Sequence, residues 1–158
     1  MRLFEITEIS DGWFEAKIFG EYELMCSDLW LADSPKNLLT ALCDICISDC
    51  EKYISFKGEP GADILELIPK GEKVKINVYD SLSYSDSMLP NVGSDLKKYR
   101  GNLLYFNTVS KSELIGAVLS EFERYSDGEQ NWIYVKNWDL FPHEEYDKLK
   151  SLIEFSEE

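Results

Sequence analysis

The chain begins with an alternation of apolar and polar positions. Phe4, Ile6 and Ile9 mark a first strand, and Asp11-Gly12 is a strong hairpin turn signal. Phe14, Ala16 and Ile18 then alternate with Glu15 and Lys17, as the two faces of a half-buried strand should, which points Trp13 opposite to Phe14. Gly20 breaks the run. Tyr22, Leu24 and Cys26 alternate with Glu21, Glu23 and Met25 in a third strand. The pattern predicts an antiparallel meander with an acid-decorated outer face.

The period then changes. Ser34-Pro35, preceded by Asp33, opens a helix that should run to about Cys50. Lys36, Thr40, Asp44 and Ser48 form its polar stripe, and Leu38, Leu39, Ala41, Leu42, Cys43, Ile45, Cys46 and Ile47 cover most of the remaining circumference. A helix apolar over so wide an arc packs deep against a sheet. Three more strands follow at Tyr53 to Lys57, Ile64 to Ile68 and Lys73 to Tyr79, joined by short turns that imply antiparallel neighbours.

From Asp80 to Asn102 the periodicity dissolves into a serine-rich segment, shortened by a helical turn around Asp95 to Tyr99. Loops of this length in compact domains are usually functional or disordered. Leu103 to Asn107 reads as a returning strand. Ser110 to Glu113 has capping-box spacing, and Leu114, Ile115, Val118, Leu119, Phe122 and Tyr125 give one face of a second helix, stopped by Asp127-Gly128. Asn131 to Asp139, with Trp132, Tyr134 and Trp138, fits a short edge strand or an aromatic-rich loop. Pro142 opens a third helix with Tyr146, Leu149, Leu152 and Ile153 on its buried face. The expected fold is a single α+β domain over residues 1–158: a mainly antiparallel sheet of about six or seven strands packed against three helices.

Composition narrows the setting. Hydrophobic residues make up 44% of the 158, enough for an ordinary core, and aromatics at 13% argue against an acidic disordered chain. The N-terminal segment lacks a continuous apolar stretch, and no run approaches the roughly 18 apolar residues of a membrane span. A soluble cytoplasmic protein is the expectation. Four cysteines fit it: Cys26 stands apart, and Cys43, Cys46 and Cys50 cluster on the first helix as small apolar residues. Cys43-Asp44-Ile45-Cys46 has the spacing of a redox or zinc half-motif. It lies mid-helix, however, without a second such pair.

Charge changes the picture most. The net charge is −14, and it is unevenly placed. Residues 1–50 hold ten acids and three bases, residues 51–110 eight of each, and residues 111–158 twelve acids and five bases. Two acidic blocks of −7 therefore flank a neutral middle. If the blocks meet, they form a negative face that attracts a basic protein and repels nucleic acid and anionic membranes. Glu21, Glu23, Glu121 and Glu123 are the candidate partner-binding acids. Trp132 and Trp138 are candidate aromatic anchors for a cationic surface.

The sequence offers no other catalytic kit. The single histidine, His143, lies at a helix start beside Glu144 and Glu145, on the surface, with no nucleophile elbow nearby. No phosphate-binding loop, dinucleotide fingerprint or calcium loop is present, so neither cofactor nor metal is expected. Paired carboxylates are too numerous among thirty acids to single out one pair. The alternative to a binding protein is a small-ligand protein or carboxylate enzyme with a pocket beneath the 80–102 loop.

The strand meander, Trp30-Leu31-Ala32-Asp33-Ser34-Pro35 leading into a buried helix, and the C-terminal helical tail with Trp138, Phe141-Pro142 and Tyr146 resemble one group of proteins. These are the small acidic immunity proteins of bacterial polymorphic and contact-dependent toxin systems. The resemblance is one of layout and charge over most of the chain, and no family binding residues carry over. It implies a stoichiometric inhibitor that masks the active site or substrate channel of a toxin, with a basic toxin domain such as a nuclease as the expected partner.

Overall fold

A computed structural model describes residues 2–58, 61–82 and 88–156. Strands β1 (Phe4–Ser10), β2 (Trp13–Ile18) and β3 (Tyr22–Ser27) form a three-stranded antiparallel sheet. Helix α1 (Ser34–Ile47) follows. Strands β4 (Lys52–Lys57), β5 (Ala62–Lys70), β6 (Lys73–Ser81) and β7 (Arg100–Ser110) form a second antiparallel sheet in that order. Helices α2 (Lys111–Glu123), α3 (Gly128–Asn137) and α4 (His143–Ser156) complete the chain. The α+β class is as expected. The strands divide into two sheets instead of one, and there are four α-helices among the described residues instead of three.

The turns explain the meander. Asp11 and Gly12 both adopt positive φ, at 47° and 80°, the geometry that closes a two-residue hairpin between right-twisted strands. Gly12 also lies under the Asp28 carboxylate, which leaves no room for a Cβ. Phe19 and Gly20 repeat the double positive φ between β2 and β3, and here the aromatic residue bears the strain.

The sequence reads as Ser34 at the N-cap and Pro35 at the first helical position, but the cap lies one residue earlier. Asp33 is the N-cap, its carboxylate accepting from the Lys36 amide at 3.2 Å. Ser34 is inside the helix, and its buried hydroxyl donates to the Ser55 carbonyl on β4 at 2.7 Å. The helix ends at Ile47 because Ser48 is already extended. Cys50 therefore lies off the helix and exposed, while Cys26 and Cys43 are buried and all four cysteines are free. Burial lifts the Cys43 thiol to about 11, which removes it from thiolate chemistry at neutral pH.

The segment with Trp132, Tyr134 and Trp138 belongs to α3 and its C-cap, neither strand nor loop. Tyr134 and Trp138, four residues apart, face the core together, and Tyr134 packs edge-on against Phe141 with ring centroids 5.4 Å apart.

One core joins the inner faces of both sheets to the helices. Phe4, Phe14, Ile18 and Leu24 meet Leu38, Leu42, Leu65, Ile76, Leu114 and Val118 there. A second, smaller core lies on the outer face of the four-stranded sheet, where Leu89 and Leu96 cover Tyr53, Ala62 and Ile64. The 88–99 segment supplies that cover. It bridges Val92 to Ile54 at the edge of β4 and ends in a 3-10 turn, Ser94–Tyr99. Much of the 80–102 stretch is thus built into the fold. Residues 83–87 lie outside the described ones.

A buried carboxylate fastens this cover. Glu66, 2% exposed, accepts from the Asn77 amide at 2.7 Å and from Arg100 Nη1 at 2.6 Å. Arg100 opens β7 directly after the 3-10 turn, and its guanidinium stacks 5.2 Å from the Tyr79 ring centroid. Its side chain is 34% exposed, so the pair is worth less than a fully buried one. Arg100→Ala should lower equilibrium stability in urea by about 2 kcal/mol, because it strands the Glu66 charge without its cation.

Candidate functional site

The two acidic blocks meet. Helix α2 packs on β1, α4 on α1, and α3 reaches β1. The most specific link is Glu121, whose carboxylate accepts from the Ile6 backbone N–H at 2.9 Å and from Arg2 and Arg124 at 3.3 and 2.8 Å. A second link runs from Trp138, whose indole N–H donates to Asp33 at 3.0 Å. A third joins the Gly12 amide to the Asn137 carbonyl at 2.7 Å.

These links correct two expected site residues. Glu121 is buried and Trp138 is nearly so, and both hold the helices on the sheet. Glu121 is seven residues after Leu114 and three after Val118, so helical spacing carries it inward. Trp138 is turned inward by the α3 period described above. Neither offers a surface to a partner. Glu123 and Trp132 are exposed, on helices α2 and α3 and not on the three-stranded sheet itself. Lys136 already occupies the face of Trp132, with Nζ 4.6 Å from the ring centroid. Glu21 and Glu23 are exposed on the three-stranded sheet, Glu21 just after the β2–β3 turn and Glu23 on β3. His143 is exposed at the start of α4, as expected.

The outer face of that sheet gathers the acids that pair spacing brings together. In register, Glu5, Lys17 and Glu23 form one row, and Glu8, Glu15 and Met25 the next. Ser10, Trp13 and Ser27 form the row at the end where the chain leaves β3. Four carboxylates thus surround one lysine. Like charges directly opposite on neighbouring strands oppose the fold. Burial first, then the carboxylates of Glu23 and Glu8, push the Glu15 carboxyl up to about 7.

An apolar lip follows β3 in the chain. Directly after β3, the 3-10 turn Asp28–Trp30 leads to Leu31, which holds a left-handed φ of 53° while 94% exposed. Leu29 is exposed beside it. A leucine gains nothing from solvent in exchange for that strain, which makes it a surface feature held in place. The Trp30 indole N–H donates to the Gly58 carbonyl. With Leu29, Leu31, Lys57, Leu89, Pro90 and Asn91, Trp30 lines an open groove of about 520 Å³. Asp28 and Asp33 sit on either side of the lip in sequence. Burial and neighbouring Asp139 raise the Asp33 carboxyl against the opposing pull of its Trp138 hydrogen bond.

A second groove, of about 410 Å³, lies between α1, the start of β4 and residues 92–94, beside the expected loop. Its acids are neutralised in place: Asp44 pairs with Lys52 at 3.4 Å and Glu51 with Lys97 at 3.0 Å. The Tyr53 hydroxyl and Lys97 hold the Glu51 carboxyl below the ordinary range. A carboxyl held that low, as in Glu51, is a poor proton donor near neutral pH. Among the described residues, no three His, Cys, Asp or Glu side chains group as metal ligands, and no helix is long and apolar enough to cross a membrane.

No family model, curated protein or solved structure matches the chain. The site stands on its geometry. Glu15 was visible as the polar half of the β2 alternation and Glu5 has the same pattern on β1, whereas Glu8 shares the parity of Phe4 and Ile6 and reaches the outer face only through the register shift between Ile6 and Glu8. The Leu29–Leu31 lip had no signal, since exposure of a leucine is not written in its neighbours.

The crowding of Glu15 sets a pH dependence. Between its ordinary 4.5 and about 7 the folded protein binds a proton that the unfolded chain has lost. That contribution to stability is full below 4.5 and disappears as pH rises through 7. Glu15→Gln should therefore match the parent protein near pH 4.5 and exceed it in stability at pH 8, as read from urea unfolding at both pH values.

Proposed function

We propose that the protein is a non-catalytic binding protein that neutralises a basic protein partner, in the manner of an immunity protein covering a toxin domain. The observation that carries this reading is the cluster of Glu5, Glu8, Glu15 and Glu23 with the exposed Met25 on the outer face of the three-stranded sheet, followed directly in the chain by the exposed Leu29 and Leu31. It joins crowded carboxylates with one lysine among them to exposed apolar side chains, the combination that steers a cationic partner and then excludes water from the contact. A lysine or arginine of the partner set among Glu8, Glu15 and Glu23 would relieve their repulsion, so binding energy is available that the free protein cannot use. Masking an active site or a substrate channel needs no chemistry from the inhibitor. The 410 Å³ groove supports a small-ligand reading less well, because its acids are already paired with lysines.

The test is co-expression with a basic toxin domain encoded beside the protein, read as host survival and as a one-to-one complex on gel filtration. Raising salt from 0.05 to 0.5 M should weaken the complex at least tenfold, since exposed charges are screened over a few ångströms at the higher value. Glu15→Lys with Glu23→Lys should abolish protection, whereas Glu123→Lys should leave it intact. Survival that ignores the first pair and fails with the second would place the site on the helical layer.

A further inference from the structure

We propose that the groove between the start of β1 and helix α2 is an anion site, in which Arg2 and Arg124 hold the carboxylate of a small molecule with a short apolar body. The site is separate from the acidic face and does not depend on the role proposed for it.

Helical spacing builds one wall. Ala117, Ser120 and, at the C-cap, Arg124 are three and four residues apart, so they follow one face of α2. Arg2, Leu3 and Phe4, which lead into β1, form the other wall. Between them is an open groove of about 310 Å³.

The buried Glu121 carboxylate, also in the lining, fixes the cations. It accepts from Nη1 of Arg2 at 3.3 Å and from Nη1 of Arg124 at 2.8 Å, while the Ile6 N–H holds it from the sheet. One carboxylate cannot satisfy two guanidiniums, each a fork of several N–H donors. Among the described residues no other group accepts from either arginine, so most of each fork is left for an acceptor in the groove. The Tyr125 ring, with its centroid 5.3 Å from the Arg124 guanidinium carbon, steadies that fork.

The lining also selects the ligand. The only other arginine, Arg100, is committed to Glu66, so the groove gathers both remaining guanidiniums of the chain. Their planar forks match a carboxylate. Two cations and one buried anion leave a local charge of +1, which a monoanion cancels; a dianion would add negative charge to a chain already at −14. Leu3, Phe4 and Ala117 make the rest of the lining apolar, where a short hydrocarbon chain loses water.

Titration of the full chain with sodium hexanoate, against sodium chloride at the same ionic strength, tests this through the arginine Nε–H signals in heteronuclear NMR spectra. The Arg2 and Arg124 signals should shift saturably with a dissociation constant of about 5 mM, and Arg100 should not move. Acetate should bind roughly tenfold more weakly, for want of an apolar body. Arg2→Gln should abolish the saturation while Glu121 keeps Ile6 and Arg124. Ser120→Glu places a carboxylate one helical turn before Arg124 and should abolish it too, with an unchanged circular dichroism spectrum. Shifts matched by chloride, or saturation that survives both variants, overturn the proposal. Inorganic phosphate binding more tightly than hexanoate overturns the choice of a monocarboxylate.

Discussion

The Glu121 carboxylate is the constraint on which the arrangement of this molecule depends. It is buried against β1, takes the backbone N–H of Ile6 that would otherwise point into an apolar contact, and shares its remaining lone pairs with Arg2 and Arg124. A buried carboxylate without such partners would cost several kcal/mol. With them it fixes α2 on the edge of the meander. The C-terminal acidic block is then held against the N-terminal one, and the outer face of the three-stranded sheet remains open.

From that placement the electrostatics follow. Both blocks carry −7, and the cations drawn to Glu121 serve the junction more than the open face. On the sheet, Lys17 alone stands among Glu5, Glu8, Glu15 and Glu23. Burial, and after it the neighbouring carboxylates of Glu23 and Glu8, raise the proton affinity of Glu15. A protein that keeps such repulsion on a flat sheet beside a strained, exposed Leu31 gives up stability in the free state. In the binding role proposed above, a partner that brings a cation and an apolar surface together would restore that stability.

Much of this was legible from residue spacing, and the failures have physical causes. The alternation of Phe14, Ala16 and Ile18 with Glu15 and Lys17 located the meander and its acidic face. The strands of the second sheet were also found, although β7 runs from Arg100 to Ser110 and not only over Leu103 to Asn107. The split into two sheets was hidden, since nothing in a strand states which neighbour it will decline. Trp132, Tyr134 and Trp138 read as a short edge strand or an aromatic-rich loop because aromatics favour strands, and tertiary packing of Tyr134 overrode that preference. Glu121 was misplaced by its chemistry: helical spacing put it inward, and its charge argued for the surface. The cover formed by Leu89, Val92 and Leu96 depends on Arg100 reaching Glu66, a contact 34 residues apart that no local pattern encodes.

The proposed role specifies where a basic toxin domain would touch this chain. Hydrogen–deuterium exchange of the complex against the free protein measures that. The prediction is slowed exchange over β1 to β3 and the Asp28–Leu31 turn, with α4 unchanged. Protection confined to the α1–β4 groove and residues 92–94, with the three-stranded sheet unaffected, would contradict it.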